Sequence, residues 1–406
     1  MTYIADLHIH SRFSRATSGK INILALSEWA KIKGIDLIAT GDILHPLWLS
    51  EIEKNVKEKD EGIYEYNGVD FILQTEISTI YKDKGKIRKI HIVLLFPDFV
   101  SVKKYAKFLG QRYNLSYDGR PQVGLHVREL IKRALDIDSR IVIIFAHIWT
   151  PWFSLFGSRS GYDSIEECCG EDKYLIDALE TGLSSDPAMN WMVSELDDFA
   201  LVSNSDAHSL ENLGREANVF KEKLNIRTLK EVLRKKNREI FLYTIEFFPE
   251  EGKYHFDGHR NCNVSMSPEE SIKNKNICPV CNKPLTLGVL HRVYDLADRA
   301  YGEKPKLFIP YKRLIPLKEI ISDVVKKGKS TKTVDKIYKK LIQHFENEFN
   351  ILLNVNKEDI AQIAGSEIAE GIYNAREGNV KVEPGYDGVY GKVSIQISPY
   401  KNSLLF

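Results

Sequence analysis

Short apolar runs alternate with amphipathic stretches over the first 245 positions of the chain, and this alternation predicts strands separated by helices. Apolar, β-branched runs mark strands at residues 3–7, 36–40, 70–75, 87–96, 141–146, 178–181 and 199–204. The intervening stretches 23–33, 47–57, 102–109, 127–135 and 187–195 carry the pattern of helices. Gly34, directly after the first of these, is a fitting stop because glycine accepts the left-handed cap. Seven strands alternating with helices predict an α/β fold with a parallel sheet, either open or closed into a barrel.

The pattern changes twice further on. Residues 253–292 are rich in Gly, Asn, Pro and Cys and lose helical period. From 293 the chain is charged and helix-like, most clearly at 317–327, 332–349 and 357–376, before a turn-rich stretch with Gly385, Gly388 and Gly391. The expected division is therefore 1–245, 246–292 and 293–406, which suits a chain of 406 residues and 43% hydrophobic content. The net charge of +1 means that any nucleic-acid surface is a local patch. No apolar run reaches the ~20 residues of a membrane span, and the first residues lack a leader pattern, so a cytosolic protein without membrane contact is expected. Five cysteines, two of them adjacent, do not form a secreted disulfide framework.

Imidazoles and carboxylates gather at the strand ends. The first strand closes on His8 and His10, which alternation places on one face. The second ends in Asp42 and His45, the third in Glu76, the fifth in His147, and the seventh in Asp206 and His208. His91 lies inside the fourth strand and would have to point inward. Each has an ordinary reading when taken alone: Asp42 as a turn or cap residue, His91 as a core histidine, Glu76 as a surface group. Together they leave that reading behind. Six of the 11 histidines fall at these positions, and Glu76 and Asp206 sit in apolar strands where an unpaired charge is costly. In a parallel barrel all strand C-termini share one mouth, so the set predicts a multi-metal site. Mixed His and carboxylate donors suit Zn, Mn or Fe better than Ca or Mg alone. Their number calls for two or three ions, with a carboxylate such as Glu76 bridging.

A second metal signal lies outside the barrel. His259-x2-Cys262 and Cys278-x2-Cys281 are chelating pairs separated by 15 residues, the spacing of a zinc ribbon. His255 and His291 are the alternatives to His259. The module has few apolar residues, so one structural Zn would form part of its fold.

The barrel pattern resembles the PHP family, the polymerase and histidinol phosphatase superfamily, through His8, His10, Asp42, Glu76, His91, His147, Asp206 and His208. The resemblance implies a distorted seven-stranded β/α barrel, (β/α)7. One ion would lie on His8, His10, Glu76 and Asp206, a second on Glu76, His91 and His147, and a third near His208. The chain departs from the family at the third site, where Ile43 follows Asp42 and S-R-F-S-R follows the histidine pair. A PHP barrel, a zinc ribbon and a helical C-terminal region together resemble the endonuclease Q family. The most specific stretches are H-I-W-T-P-W-F-S-L-F-G-S-R-S-G from His147, C-P-V-C-N-K-P-L-T-L-G-V-L-H-R-V from Cys278 and E-P-G-Y-D-G-V-Y-G-K from Glu383.

This resemblance implies a metal-dependent DNA-repair endonuclease with two or three divalent ions (Zn, Mn or Mg). It would cut on the 5′ side of uracil, hypoxanthine and xanthine and at abasic sites, with Glu76, Asp206 and His147 carrying the chemistry. The competing readings are a histidinol-phosphatase-like phosphoesterase, a lesion-independent PHP exonuclease and a non-catalytic DNA-binding module. Reading a single base requires flipping it out, and Trp149, Trp152 and Phe153 after His147 are candidates to stack on it. The basic runs 82–89, 234–238, 326–332 and 336–340 read mainly as solvated faces, whereas the ribbon and 381–392 are the expected DNA contacts. Residues 403–406, S-L-L-F, are a candidate sliding-clamp peptide without the usual Gln and paired aromatics.

Overall fold

A computed structural model of the chain describes residues 2–396. The candidate clamp peptide at 403–406 lies outside them. The seven strands expected from the pattern are β1 (Tyr3–Asp6), β2 (Leu37–Ala39), β3 (Val69–Asp83), β4 (Lys86–Phe96), β5 (Val142–Phe145), β6 (Ala178–Glu180) and β7 (Ala200–Val202). They lie side by side in sequence order, curled around an apolar core. Three more strands, β8 (Ala217–Phe220), β9 (Phe241–Glu246) and β10 (Tyr311–Arg313), extend the sheet beyond β1. The order along the sheet is β7-β6-β5-β4-β3-β2-β1-β8-β9-β10.

The curl is closed at one end only. Past β7 and β1 the two chain segments meet in a parallel bridge between Ile9 and Ala207. There the Asp206 N–H donates to His8 O at 2.9 Å and the His10 N–H to Ala207 O at 3.0 Å. Asn204 adds a side-chain link, accepting from the Leu7 N–H at 2.9 Å. This bridge sets the H-x-H and D-x-H segments side by side.

The sheet is not wholly parallel. β4 runs antiparallel to both β3 and β5, joined to β3 by a hairpin whose last ladder pair is Asp83 with Lys86. The two-residue turn is Lys84-Gly85, both with positive φ, a geometry in which glycine is unstrained. Glu76 therefore lies within a long strand rather than at its end, and His91 rises on the descending arm opposite Ser78.

Most helices follow their local signals, but the stretch 187–195 forms only the single turn Pro187–Asn190 before a 3-10 turn over Ser194–Asp198. Asn22, Asp98 and Asn225 cap helices Ile23–Lys33, Phe99–Gly110 and Ile226–Lys235 with side-chain oxygens. The helix expected over 332–349 is two, Lys332–Phe345 and Glu348–Leu353, because Asn347 caps a new start after Glu346 takes a positive φ. The helix expected over 357–376 likewise breaks at Gly365, giving Lys357–Ala364 and Ser366–Arg376. These helices and Leu317–Val324 pack beside the barrel. Buried Lys33 pairs with buried Glu348 at 2.8 Å, and Glu348 also accepts from the Leu317 N–H and the Tyr338 hydroxyl. The turn-rich stretch near 385–391 joins the hairpin Val380–Glu383 and Lys392–Ile395. Its Asp387 accepts from the Arg260 N–H and the Thr286 hydroxyl, which ties it to residues 257–286. No described helix is long and apolar enough to cross a membrane.

Candidate metal centre

The closed end of the curl gathers three sets of donor atoms, each within 4.8 Å of one another: His8, His10 and Glu76; Glu76, His91 and His147; and His10, Asp206 and His208. Glu76 divides its oxygens between two of them. Its Oε1 lies 2.6 Å from His91 Nδ1 and 3.1 Å from His147 Nε2. Its Oε2 lies 3.1 Å from His10 Nε2 and 3.8 Å from His8 Nε2. Asp206 Oδ1 faces the same two histidines at 3.1 Å and 3.8 Å. His8 Nε2, His10 Nε2 and Asp206 Oδ1 are buried and lack a well-formed hydrogen bond. Converging, unsatisfied donors of this kind are what a cation requires, so the residues fit divalent metals.

The far side of His8, His10 and His147 is held. His8 Nδ1 lies 3.0 Å and 3.1 Å from the two oxygens of buried Glu180. Glu180 also accepts from the His147 N–H and the Asn204 amide, both at 2.8 Å. His10 Nδ1 lies 2.9 Å from Asp42, which accepts as well from the Ser11 N–H, the Ser11 hydroxyl and the Ser14 hydroxyl. His147 Nδ1 lies 3.1 Å from Thr150 Oγ1. A carboxylate behind an imidazole fixes its tautomer, so that on metal binding the opposite nitrogen gives up its proton and presents a lone pair to the ion. Asp42 thus stands behind His10 and in none of the three donor sets. His45 is also in none of them: its ring stacks on Phe13 at 4.1 Å and reaches the Ser116 carbonyl.

The electrostatics favour a charged cluster in spite of burial. Removal from water works against the Asp206 carboxylate, yet His10 and His8 hold it far below the usual carboxylate range. Burial likewise opposes ionised Glu76, and His91 and Arg120 overcome it. Burial drives His91 down to about 4, against the pull of Glu76. The backbone is strained in step: Asp42, His147 and Asp206 all have positive φ, an arrangement found where a site dictates side-chain aim. At Gly182 a Cβ would lie 2.5 Å from that of His147, so only glycine leaves room for the ligand.

Two contributors have no counterpart in the sequence expectations. Glu180 closes the apolar run at 178–181, and its position at a strand end was the available signal. Arg120 sits on the irregular loop after Gly119 and carried no signal; its Nη1 lies 3.0 Å from Glu76 Oε2. Arg120 lines a cavity of about 670 Å³ beside the donors, together with Arg15, Arg112, Tyr113, His91 and Phe153. A cavity of about 790 Å³ at the opposite end of the curl, near Tyr3 and Asn350, touches none of the donors.

The aromatic segment after His147 divides. Trp149 does not reach the mouth as expected: it is 1% exposed, stacked on Phe156, and donates to Asn190 at 2.7 Å. Phe153 does, lying 4.9 Å from the His91 ring and lining the cavity. Trp152 is 52% exposed beside it.

Away from the barrel, His259, Cys262, Cys278 and Cys281 bring their donor atoms within 4.8 Å of one another. His255 and His291 lie elsewhere, His291 paired with Asp257. Only Val264, Cys278 and Leu285 form a buried cluster here, too little apolar surface to hold the module. Loss of water opposes the Cys278 thiolate, yet the N–H groups of Cys281 and Val280 bring it down to about 7. The set fits a tetrahedral zinc.

Comparison with known proteins sets this geometry in a family. Residues 316–379, the C-terminal helices, match the family described as the MJ0043 C-terminal domain. Protein MJ0043 of Methanocaldococcus jannaschii is 36% identical over 256 residues, covering 61% of this chain and 31% of the longer relative. Protein YqxK of Bacillus subtilis is 29% identical over 407 residues, covering 96% of this chain and 98% of YqxK. Among solved structures, the lesion-specific endonuclease PfuEndoQ of Pyrococcus furiosus superposes with a TM-score of 0.87 at 33% identity, covering 97% of this chain and 96% of that one. An endonuclease Q bound to a 27-mer duplex with an abasic lesion at its active site superposes with a TM-score of 0.84, also at 33% identity, covering 98% and 97%. On this agreement over nearly the whole of both chains, the protein belongs to the endonuclease Q family.

Proposed function

We propose that the protein is a metal-dependent endonuclease that cuts DNA on the 5′ side of deaminated bases (uracil, hypoxanthine, xanthine) and at abasic sites. The observation that carries the reading is the split of Glu76, one carboxylate oxygen facing His91 and His147 and the other facing His10 and His8. That arrangement suits two bridged divalent ions, Mn, Zn or Mg, with His10, Asp206 and His208 as the set for a third. When bound, such ions activate water near neutral pH and stabilise both the attacking and the leaving oxygen of a phosphodiester.

The chain's own groups do the rest. Glu180 and Asp42 hold His8 and His10 in the ligand tautomer. Arg120 is poised between Glu76 and the cavity, where its free N–H groups, with Arg15 and Arg112, bind and orient a phosphate. Phe153 offers a ring face at the cavity wall for an extruded base, and exposed Trp152 offers a second one outside it. Deamination turns an exocyclic amine into a carbonyl, so N–H donors in the pocket would favour the product base over its parent. The ribbon, with one structural zinc on His259, Cys262, Cys278 and Cys281, gives the reading a DNA-contacting module that a small-molecule phosphoesterase would not need. The test is an end-labelled duplex with one central deoxyuridine, incubated with Mn or Mg. The reading predicts one product ending directly before the lesion, lost in Glu76→Ala. A ladder of products, or cutting by Glu76→Ala at the wild-type rate, would overturn it.

A further inference from the structure

The β3–β4 hairpin runs past the metal centre as an arm. Its ladder pairs Ser78 with His91, Ile80 with Lys89 and Lys82 with Ile87. Side chains alternate along a strand, so Glu76, Ser78, Ile80 and Lys82 share a face with His91, Lys89 and Ile87. The face that presents metal donors at its inner end therefore continues unbroken to the tip of the hairpin. Beyond His91 it carries Lys89, whose ammonium stands 5.0 Å from the Trp152 ring and 5.2 Å from that of Phe153. Beyond these come Lys82 and Ile87, the latter 62% exposed. Among the described residues, Lys82, Lys84, Lys86 and Lys89 have no carboxylate partner within ion-pair distance, and the tip adds to the same charge.

The opposite face is closed. The Arg88 guanidinium lies 3.9 Å from the Tyr162 ring and pairs with Glu167, while the Tyr162 hydroxyl binds Tyr81 and Asp83. The arm is thus anchored from behind, with a cationic and apolar face left open. The same line also exposes Ile87 and Trp152.

Resting on the reading of the site as a DNA endonuclease, we propose that this open face is a DNA-tracking surface. In it Lys82 and Lys89 neutralise backbone phosphates of the duplex flanking the cut, and Ile87 packs against the sugars between them. The dimensions agree. At about 3.3 Å per residue, Lys89 lies about 7 Å along its strand from His91, and Lys82 about 20 Å from Glu76. With phosphates about 3.4 Å apart along each strand of the duplex axis, these positions match roughly two and six base pairs from the reacting bond.

The test is fluorescence anisotropy with the full-length, zinc-loaded protein, Ca in place of Mn or Mg and no chelator, and a labelled duplex carrying one abasic-site analogue, at salt from 50 to 200 mM. Each phosphate contact contributes about 0.9 to the slope of log affinity against log salt. The double variant Lys82→Ala/Lys89→Ala should flatten that slope by about 1.8 and, extrapolated from 1 M salt, bind about 60-fold more weakly at 0.1 M. Ile87→Ser should weaken binding with the slope unchanged. Thermal melting checks that all variants keep the wild-type fold. A double variant with the wild-type slope and affinity overturns the proposal while leaving the endonuclease reading intact. A wild-type protein that binds no DNA overturns both.

Discussion

Replacing Glu180 by glutamine separates the support of the metal centre from its donors. Glu180 Oε1 accepts from His8 Nδ1 and the Asn204 amide, and Oε2 from His8 Nδ1 and the His147 N–H. Glutamine keeps the shape but turns one acceptor into a donor. Whichever way its amide lies, it meets either the Asn204 NH2 or the His147 N–H, donor against donor, in a site with no water access. Leaving one buried donor unsatisfied costs about 1–3 kcal/mol of fold stability. His8 also loses the ionic acceptor that turns its Nε2 lone pair towards Glu76 and Asp206. Loss of such a partner typically weakens metal binding about 10–100-fold, or roughly 1.4–2.7 kcal/mol. The assay is calorimetric titration of Mn into full-length protein freed of barrel metal but loaded with the ribbon's zinc, with a thermal melt before Mn is added to confirm folding. Glu180→Gln should bind Mn 10–100-fold more weakly and melt as a cooperative unit. A variant that folds and binds Mn as tightly as wild type refutes the idea that Glu180 supports the centre through His8.

Further outcomes follow from other parts of the molecule. Cys278→Ser should cost one equivalent of zinc by elemental analysis and open residues 255–288 to protease, while the barrel keeps its melting transition, since only Val264, Cys278 and Leu285 form the ribbon's own cluster. Burial raises the Glu246 carboxyl from its usual 4.5 to about 8, with the Thr244 and Thr181 hydroxyls partly opposing. Between those pH values the folded protein holds a proton that the unfolded chain has lost, so stability falls as pH rises through the window. Glu246→Gln should remove up to about 3.5 kcal/mol of that fall, read from urea midpoints at pH 5 and 8; equal slopes would contradict it. Trp149→Ala should destabilise by about 3–5 kcal/mol, because the ring is core, whereas Trp152→Ala should leave the melting point nearly unchanged and weaken binding to lesion-containing duplex.

The legible part of the site came from residue types that an apolar strand does not tolerate without a reason. His8 and His10 stand out because they interrupt an apolar run at its end, and Asp206 because it pairs with His208 just past another. The ribbon was legible for a different reason: its two chelating pairs carry their spacing in the chain itself. The reversal of β4 was not read, although Asp83-Lys84-Gly85-Lys86 has the length and the glycine of a tight hairpin; the long apolar run beside it looked the same in either direction. Trp149 and Trp152, three residues apart in one aromatic segment, could not be sorted into core and surface without the Asn190 partner, which lies 41 positions away. Arg120 is invisible for a related reason. Its role exists only because Gly119 lets the loop close on Asp42 and Ser14, where a Cβ would come within 2.7 Å. Asp42 and Glu180 show that a carboxylate at a strand end can serve a histidine rather than an ion, and sequence position does not distinguish the two.

The central claim is that one buried carboxylate is shared between two ions, and anomalous diffraction from crystals grown with manganese tests it most directly. The account predicts two peaks about 3.5–4 Å apart flanking Glu76, one towards His8 and His10 and the other towards His91 and His147. A single peak bound by one set alone, or manganese density nowhere between His10 and His147, would contradict it.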